Sequence, residues 1–278
     1  MLSEILSYQF MRNALLACAM ASIVCGLIGV IVVEKKLLMM SGGIAHTAYG
    51  GVGLGYLLGI EPMIGAVLFS VGAAVGIGHI QRKGGTHTDV IIALLWSSGM
   101  ALGTAFIGLM DGYPPDMNSY LFGSILTVSR TDIIMMAVLT LLVCLTVLIL
   151  FNDWKAFLFD SDFSGISGMK TGFLEYLMLI LIALTVVVLI RLAGIVLVIA
   201  LLTAPAATAS HLTDKLAKRM GLAVIIGLFD CLAGLWLSYK LNIASGATIV
   251  LFSVAVYFLA ALYGKIRDRR PAAASKAK

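Results

Sequence analysis

The sequence predicts an all-α, polytopic integral membrane protein: a helical bundle of eight or nine transmembrane helices. It is read as a single domain over residues 1–278, ending in a short basic tail at about 265–278. Three observations carry this. Of the 278 residues 61% are hydrophobic and only 12% are charged, about half the charged share of a soluble domain. The mean hydropathy is +1.06. The apolar residues also fall into runs near the roughly 20 residues that cross a bilayer. So few charges could not cover a soluble core of this size. A secreted disulfide scaffold and a disordered chain are excluded by the same composition.

The runs come in order. Ala14–Val33 is uncharged. Gly42–Ile60 is rich in glycine and is parted from Met63–Ile80 by Glu61-Pro62. Val90–Met110 and Ile133–Phe151 follow. Gly172–Ile190 and Leu192–Ser210 are separated only by Arg191. Gly221–Tyr239 and Ala247–Tyr263 complete a set of nine. The region Gly172–Ser210 has Glu175 and Arg191 as its only charges. Two crossings joined at Arg191–Gly194 keep both flanking basic segments on one side. One long helix with a broken half-helix gives a count of eight instead.

Orientation follows from lysine and arginine. With the N-terminus outside, 15 of the 19 fall at Lys35-Lys36 and in 81–85, 152–171, 211–220 and 264–278. Only Arg12, Arg130, Arg191 and Lys240 fall on the other side. The expected topology is therefore N-terminus outside and C-terminus inside. The net charge of +5 reflects inner loops, and no nucleic-acid partner is expected. The first run is too long for a signal-peptide core and follows no cationic segment, so no cleavable signal is expected.

Cys18, Cys25, Cys144 and Cys231 lie in apolar runs without a CxxC pair and read as buried thiols. The pairs Gly51/Gly55, Gly55/Gly59, Gly72/Gly76 and Gly99/Gly103 have GxxxG spacing, which lets helices approach closely in lipid.

Ionisable groups inside a span are functional candidates by default. His46 lies in the second run and shares a helix face with Gly50 and Gly53. A neutral imidazole suits zinc, manganese or iron; the bland alternative is a histidine bonded to a neighbouring helix. Asp230 lies mid-run in the eighth segment, as a ligand, a gate or a structural acid. The two are expected to face one aqueous cavity and hold an ion transiently. His79, His87 and Asp89 read as loop chemistry. No catalytic residue is expected. Gly165–Thr171 lacks the Gly-Lys of a phosphate loop, and HExxH and GxSxG are absent. Pro205 is expected to end one helix. The small residues Ala206, Ala207, Thr208 and Ala209 then lead through His211 into a short basic piece at the inner face, able to dock a soluble partner.

Four stretches resemble the permease subunits of ABC transporters for zinc, manganese and iron uptake. These are Ile44-Ala45-His46 with the glycine-rich run to Gly59, Tyr120–Ser129, Arg191–Val198 with Pro205–Ala209, and Ser238-Tyr239 with Ser245–Val250. The resemblance implies a type II ABC importer-like permease in the plasma (inner) membrane of a bacterium or archaeon, working as a pair of copies, a homodimer. Cytoplasmic ABC ATPase subunits would hydrolyse ATP, and an extracytoplasmic metal-binding protein would deliver the cargo. It implies a divalent metal ion as substrate, no permanently bound cofactor, and an ATPase coupling segment in or beside Pro205–Met220. The sequence departs from the family pattern at Gly42, where many relatives have Asp, and at Asn242 and Ala244, where Asp and Pro are frequent. The competing readings are a gradient-driven secondary ion transporter using Asp230 as relay, an ABC permease for a metal chelate, and a membrane-embedded enzyme. The last needs a cluster of His, Asp or Glu that the sequence does not offer.

Overall fold

The computed structural model describes residues 8–83, 88–110, 123, 125 and 128–268. His87, most of Tyr120–Ser129 and the tail from 269 onward lie outside the described residues. Among those described, eight long helices and two short ones follow in order. They are α1 (Gln9–Glu34), α2 (Leu38–Leu57), α3 (Pro62–Arg82), α4 (Thr88–Gly108), α5 (Arg130–Ile149), α6 (Phe151–Phe159), α7 (Ser161–Ile166), α8 (Thr171–Leu212), α9 (Leu216–Leu241) and α10 (Ser245–Asp268).

Local chemistry sets the boundaries. Pro62 opens α3, where a missing N–H costs nothing. Ser129 and Asp132 form a reciprocal capping box on α5. Asn242 ends α9 in the left-handed region, φ 54°. Lys36, φ 57°, makes the tight turn from α1 to α2.

At 42 residues, α8 would run about 63 Å if straight, twice a bilayer's hydrocarbon thickness of about 30 Å. It is not straight. Gly194 has φ 76° and ψ 160°, a backbone region that only glycine enters readily. The chain reverses there. On the first leg Glu175 pairs with Arg82 at one end of α3, and Arg191 pairs with Glu61 at the other. On the second leg Leu202 and Ala206 lie against Gly29 of α1, and His211 reaches Tyr257 in the middle of α10 and Gly264 towards its far end. The two legs make α8 a helical hairpin, and the described chain passes between the bundle's two ends nine times. The lysine-rich loops gather at one end with α6 and α7. Glu61, Arg191 and Asn242 mark the other.

Pro205 does not end a helix. It lies inside the second leg of α8, with its ring 3.6 Å from the place a side chain on Gly227 would occupy. Proline is tolerated within spans because neighbouring helices and side chains can satisfy the freed backbone groups.

The centre of the bundle is α8, which packs against α1, α2, α3, α5, α9 and α10, together with α1. A second unit is built on glycine. α2 lies between α3 and α4, and an ideal β-carbon on Gly53 would sit 2.6 Å from the Gly103 carbonyl oxygen. On Gly55 it would sit 2.6 Å from Pro62 Cα, and on Gly51 it would strike the Gly65 carbonyl. The expectation of uniform GxxxG packing needs correction, however. Side chains at Gly72 and Gly76 would meet nothing within 4 Å, and neither would one at Gly59, a turn residue with φ 66°. Gly72 and Gly76 lie on an outward face of α3.

Candidate functional site

His46 projects from α2 onto α4. Its ring stacks on Trp96 with centroids 4.1 Å apart and planes 13° from parallel. Its Nδ1 lies 3.2 Å from Met100 Sδ. Trp96 and Met100 are one turn apart on α4, as Gly42 and His46 are on α2, so two i,i+4 pairs face each other. Trp96 also fills the space beside Gly42: a β-carbon there would lie 3.3 Å from the indole Cζ3. The site is half-buried, with one imidazole and one thioether. Among the described residues no group of three or more His, Cys, Asp or Glu could cage a metal.

Asp230 lies elsewhere. It is fully buried on α9 and faces Ser253 of α10. Neither carboxylate oxygen, nor the Ser253 hydroxyl, has a hydrogen-bond partner among the described residues. The expected common cavity of His46 and Asp230 is therefore corrected. His46 belongs to the α2–α4 contact and Asp230 to the α9–α10 contact. The core helices α1 and α8 hold these two groups together.

At the end opposite the lysines, Arg191 ties three helices. Its Nη1 is 2.7 Å from Glu61 Oε1 on α3, and its Nε is 2.7 Å from Asp132 Oδ1 on α5. Beside this triad a cavity of about 590 Å³ is lined by Met63, Thr131 and Met135 among others. Met63 and Arg191 also border a deeper void of about 10 Å³ between α2, α3 and α8, room for about one water molecule. Gly123, one of the few described residues of the 120–129 stretch, packs its backbone on Ala193 and Gly194. Two stretches that carry the family resemblance thus meet at the hairpin turn.

At the lysine-rich end, Trp154 and Phe157 bury themselves and hold α6 to the bundle, with Lys35 Nζ 4.0 Å above the Phe157 ring. Burial pushes the Lys35 ammonium below the ordinary lysine range, against the opposing pull of Glu175, Asp162 and Asp160. Asp160 caps α7 by accepting hydrogen bonds from the backbone N–H groups of Asp162 and Phe163, at 3.0 and 2.9 Å. Beyond these anchors Phe159 (94%), Phe163 (66%) and Ile166 (87%) are exposed. The segment expected to dock a partner is instead internal. Pro205, Ala206, Thr208 and Ala209 are buried in α8, and Ala207 is half-buried. His211, half-buried, leans on Tyr257 with centroids 5.7 Å apart. Little surface is left within Pro205–Ala209, whereas Leu212, Asp214, Lys215, Ala217 and Lys218 just beyond are exposed.

Nine passes, a glycine-packed helix carrying one imidazole, and a bent α8 define a multi-pass membrane protein of transporter type. The chain belongs to the ABC 3 transport family, whose model matches residues 7–264. It is 40% identical over 256 residues to an uncharacterized membrane protein of Synechocystis, covering 92% of this chain and 91% of that one. It is 34% identical over 262 residues to the manganese transport system membrane protein MntC of Listeria innocua, covering 94% and 93%. Its fold is similar to that of PsaBC from Streptococcus pneumoniae, solved in complex with Fab. There the TM-score is 0.83 at 30% identity, covering 94% of this chain and 95% of the matched chain.

Proposed function

We propose that this chain is the membrane permease subunit of an ATP-driven importer for divalent transition-metal ions. The observation that carries this reading is His46, an imidazole held inside a glycine-packed span where an unused polar group is costly. The manganese transport named for the Listeria relative supports the cargo class. The ion binds His46 briefly and moves on. A single imidazole with one thioether is weak enough to release it, whereas a full tetrahedral cage would not. Asp230 serves the α9–α10 contact.

In this reading the lysine-rich end faces the cytoplasm and the N-terminus lies outside. Two copies form the channel, ATP is hydrolysed on separate subunits, and an extracytoplasmic metal-binding protein loads the outer mouth. The ATPase docks on α6 and α7. Large apolar side chains exposed at the water-facing end of a membrane protein mark an interaction surface, and Phe159, Phe163 and Ile166 form one.

The test is metal uptake, ion by ion, in cells whose own permease is deleted. His46→Ala loses uptake of every ion while its assembly with the ATPase is unchanged. Phe163→Ser with Ile166→Ser keeps the permease in the membrane and loses metal-stimulated ATP hydrolysis. Wild-type uptake by His46→Ala refutes the route.

A further inference from the structure

Trp96 and Met100 carry no charge, and of the two the transport route above uses only the Met100 thioether. They are the α4 side chains that the imidazole ring contacts. Met100 contributes a sulfur 3.2 Å from Nδ1. Trp96 contributes a ring that covers one face of the imidazole and presses on Gly42. Position 42 is one helical turn from His46 and faces the same way. A carboxylate there would be the natural oxygen ligand beside the imidazole, but its first carbon would already stand 3.3 Å from the indole, so the ring would have to give way.

We infer that Trp96 and Met100 set the ion preference of this site, making it favour zinc over manganese. The inference rests on the reading of His46 as a transport ligand and names the cargo of that site.

The donor set decides the preference. Imidazole nitrogen and thioether sulfur suit zinc, whereas manganese favours carboxylate, carbonyl and water oxygens. Gly42 supplies no side-chain oxygen, and Trp96 fills the room where one would sit. Geometry agrees. Zinc bonds of about 2.0–2.1 Å to nitrogen and about 2.3 Å to sulfur put two tetrahedral donors about 3.6 Å apart. The observed spacing of 3.2 Å needs to open by only about 0.4 Å. The stack on Trp96 fixes the ring so that Nδ1 stays turned towards the sulfur. Trp96 is thus a positioning residue, and Met100 is a ligand.

The experiment measures initial uptake of radiolabelled zinc and manganese by cells carrying the assembled transporter, with the zinc-to-manganese ratio as readout. Wild type favours zinc. Met100→Leu keeps the volume and removes the donor, and lowers the ratio about tenfold, the scale of losing a ligand's support. Gly42→Asp combined with Trp96→Gly makes room for a carboxylate and shifts the ratio towards manganese by a similar factor. Trp96→Phe retains a stacking ring and stays nearer wild type. Each variant is accepted only if it remains in the membrane with its ATPase. Loss of all uptake in His46→Ala, with the ratio unmoved in Met100→Leu and in the double variant, overturns this inference and leaves the site standing. Wild-type uptake by His46→Ala removes the site itself. A wild-type transporter that prefers manganese also refutes the inference.

Discussion

Gly53→Ala adds one methyl group against the main chain of α4, where no side chain can swing aside. The new carbon would stand 2.6 Å from the Gly103 carbonyl oxygen and 2.8 Å from its Cα. Comfortable contact between such atoms lies at about 3.5–4.0 Å, so α2 and α4 must part by about 1 Å. Overpacking of this kind costs about 1–3 kcal/mol. The better helix propensity of alanine returns up to about 1 kcal/mol. The net loss is about 1–2 kcal/mol, roughly five- to thirtyfold in the folding equilibrium. His46 lies seven residues earlier, about 10 Å along α2, so the separation also loosens the stack on Trp96. Two assays read this: thermal unfolding of the purified permease and metal uptake in cells. The control is Gly76→Ala, whose methyl meets nothing within 4 Å; it unfolds at or above the wild-type temperature. Equal unfolding of the two variants would refute the idea that backbone contact requires glycine in α2.

Three further outcomes are expected. Arg191→Gln strips the 8%-exposed Asp132 side chain of its cation and destabilises by about 1–3 kcal/mol, between surface and buried ion pairs. Glu61→Gln, at a 56%-exposed side chain, costs less than about 1 kcal/mol; chemical or thermal unfolding should rank the two in that order, and the reverse order dismisses the triad as a structural tie. Asp230→Asn preserves volume and hydrogen-bonding capacity, so uptake stays within about twofold of wild type, as expected of a residue that only packs. A collapse of uptake with normal assembly returns Asp230 to the ion route. In a chain free of its natural cysteines, Phe159→Cys in sealed cells resists an impermeant thiol reagent and Asn242→Cys reacts; the opposite pattern inverts the topology.

The crossings were legible because composition and run length report directly on the bilayer. Even the turn in α8 could be placed within Arg191–Gly194, since a glycine close to the one charge deep inside a long apolar stretch is the natural bend. Pro205 misled for a physical reason. The rule that proline ends helices belongs to water, where a broken helix can be solvated, and within lipid the helix has nowhere better to go. Gly227 then provides the room its ring needs. The exposed apolar surface on α6 and α7 is hard to read from the sequence because a short inner segment rich in aspartate and phenylalanine looks like a loop. Its signal was Trp154 and Phe157 at helical spacing, followed by Asp160 as a cap. Trp96 escaped because a search for ionisable groups cannot see an indole. The matching i,i+4 pairs Gly42/His46 and Trp96/Met100 were present in the sequence, but only the packing of α2 on α4 brings them face to face.

During synthesis α8 reaches the membrane as one 42-residue apolar segment with Arg191 near its middle. Inserted straight, it would leave one leg outside the bilayer or hold the guanidinium at its centre, at about 2.5–3.5 kcal/mol on insertion scales. Bending at Gly194 delivers both legs as one unit and carries Arg191 at the tip to the far interface. Glu61 and Asp132 precede it in the chain, so both acids are already in place when the arginine arrives. Any variant that straightens this turn should therefore fail in biogenesis, as a chain the cell degrades, before its stability or its transport can be measured.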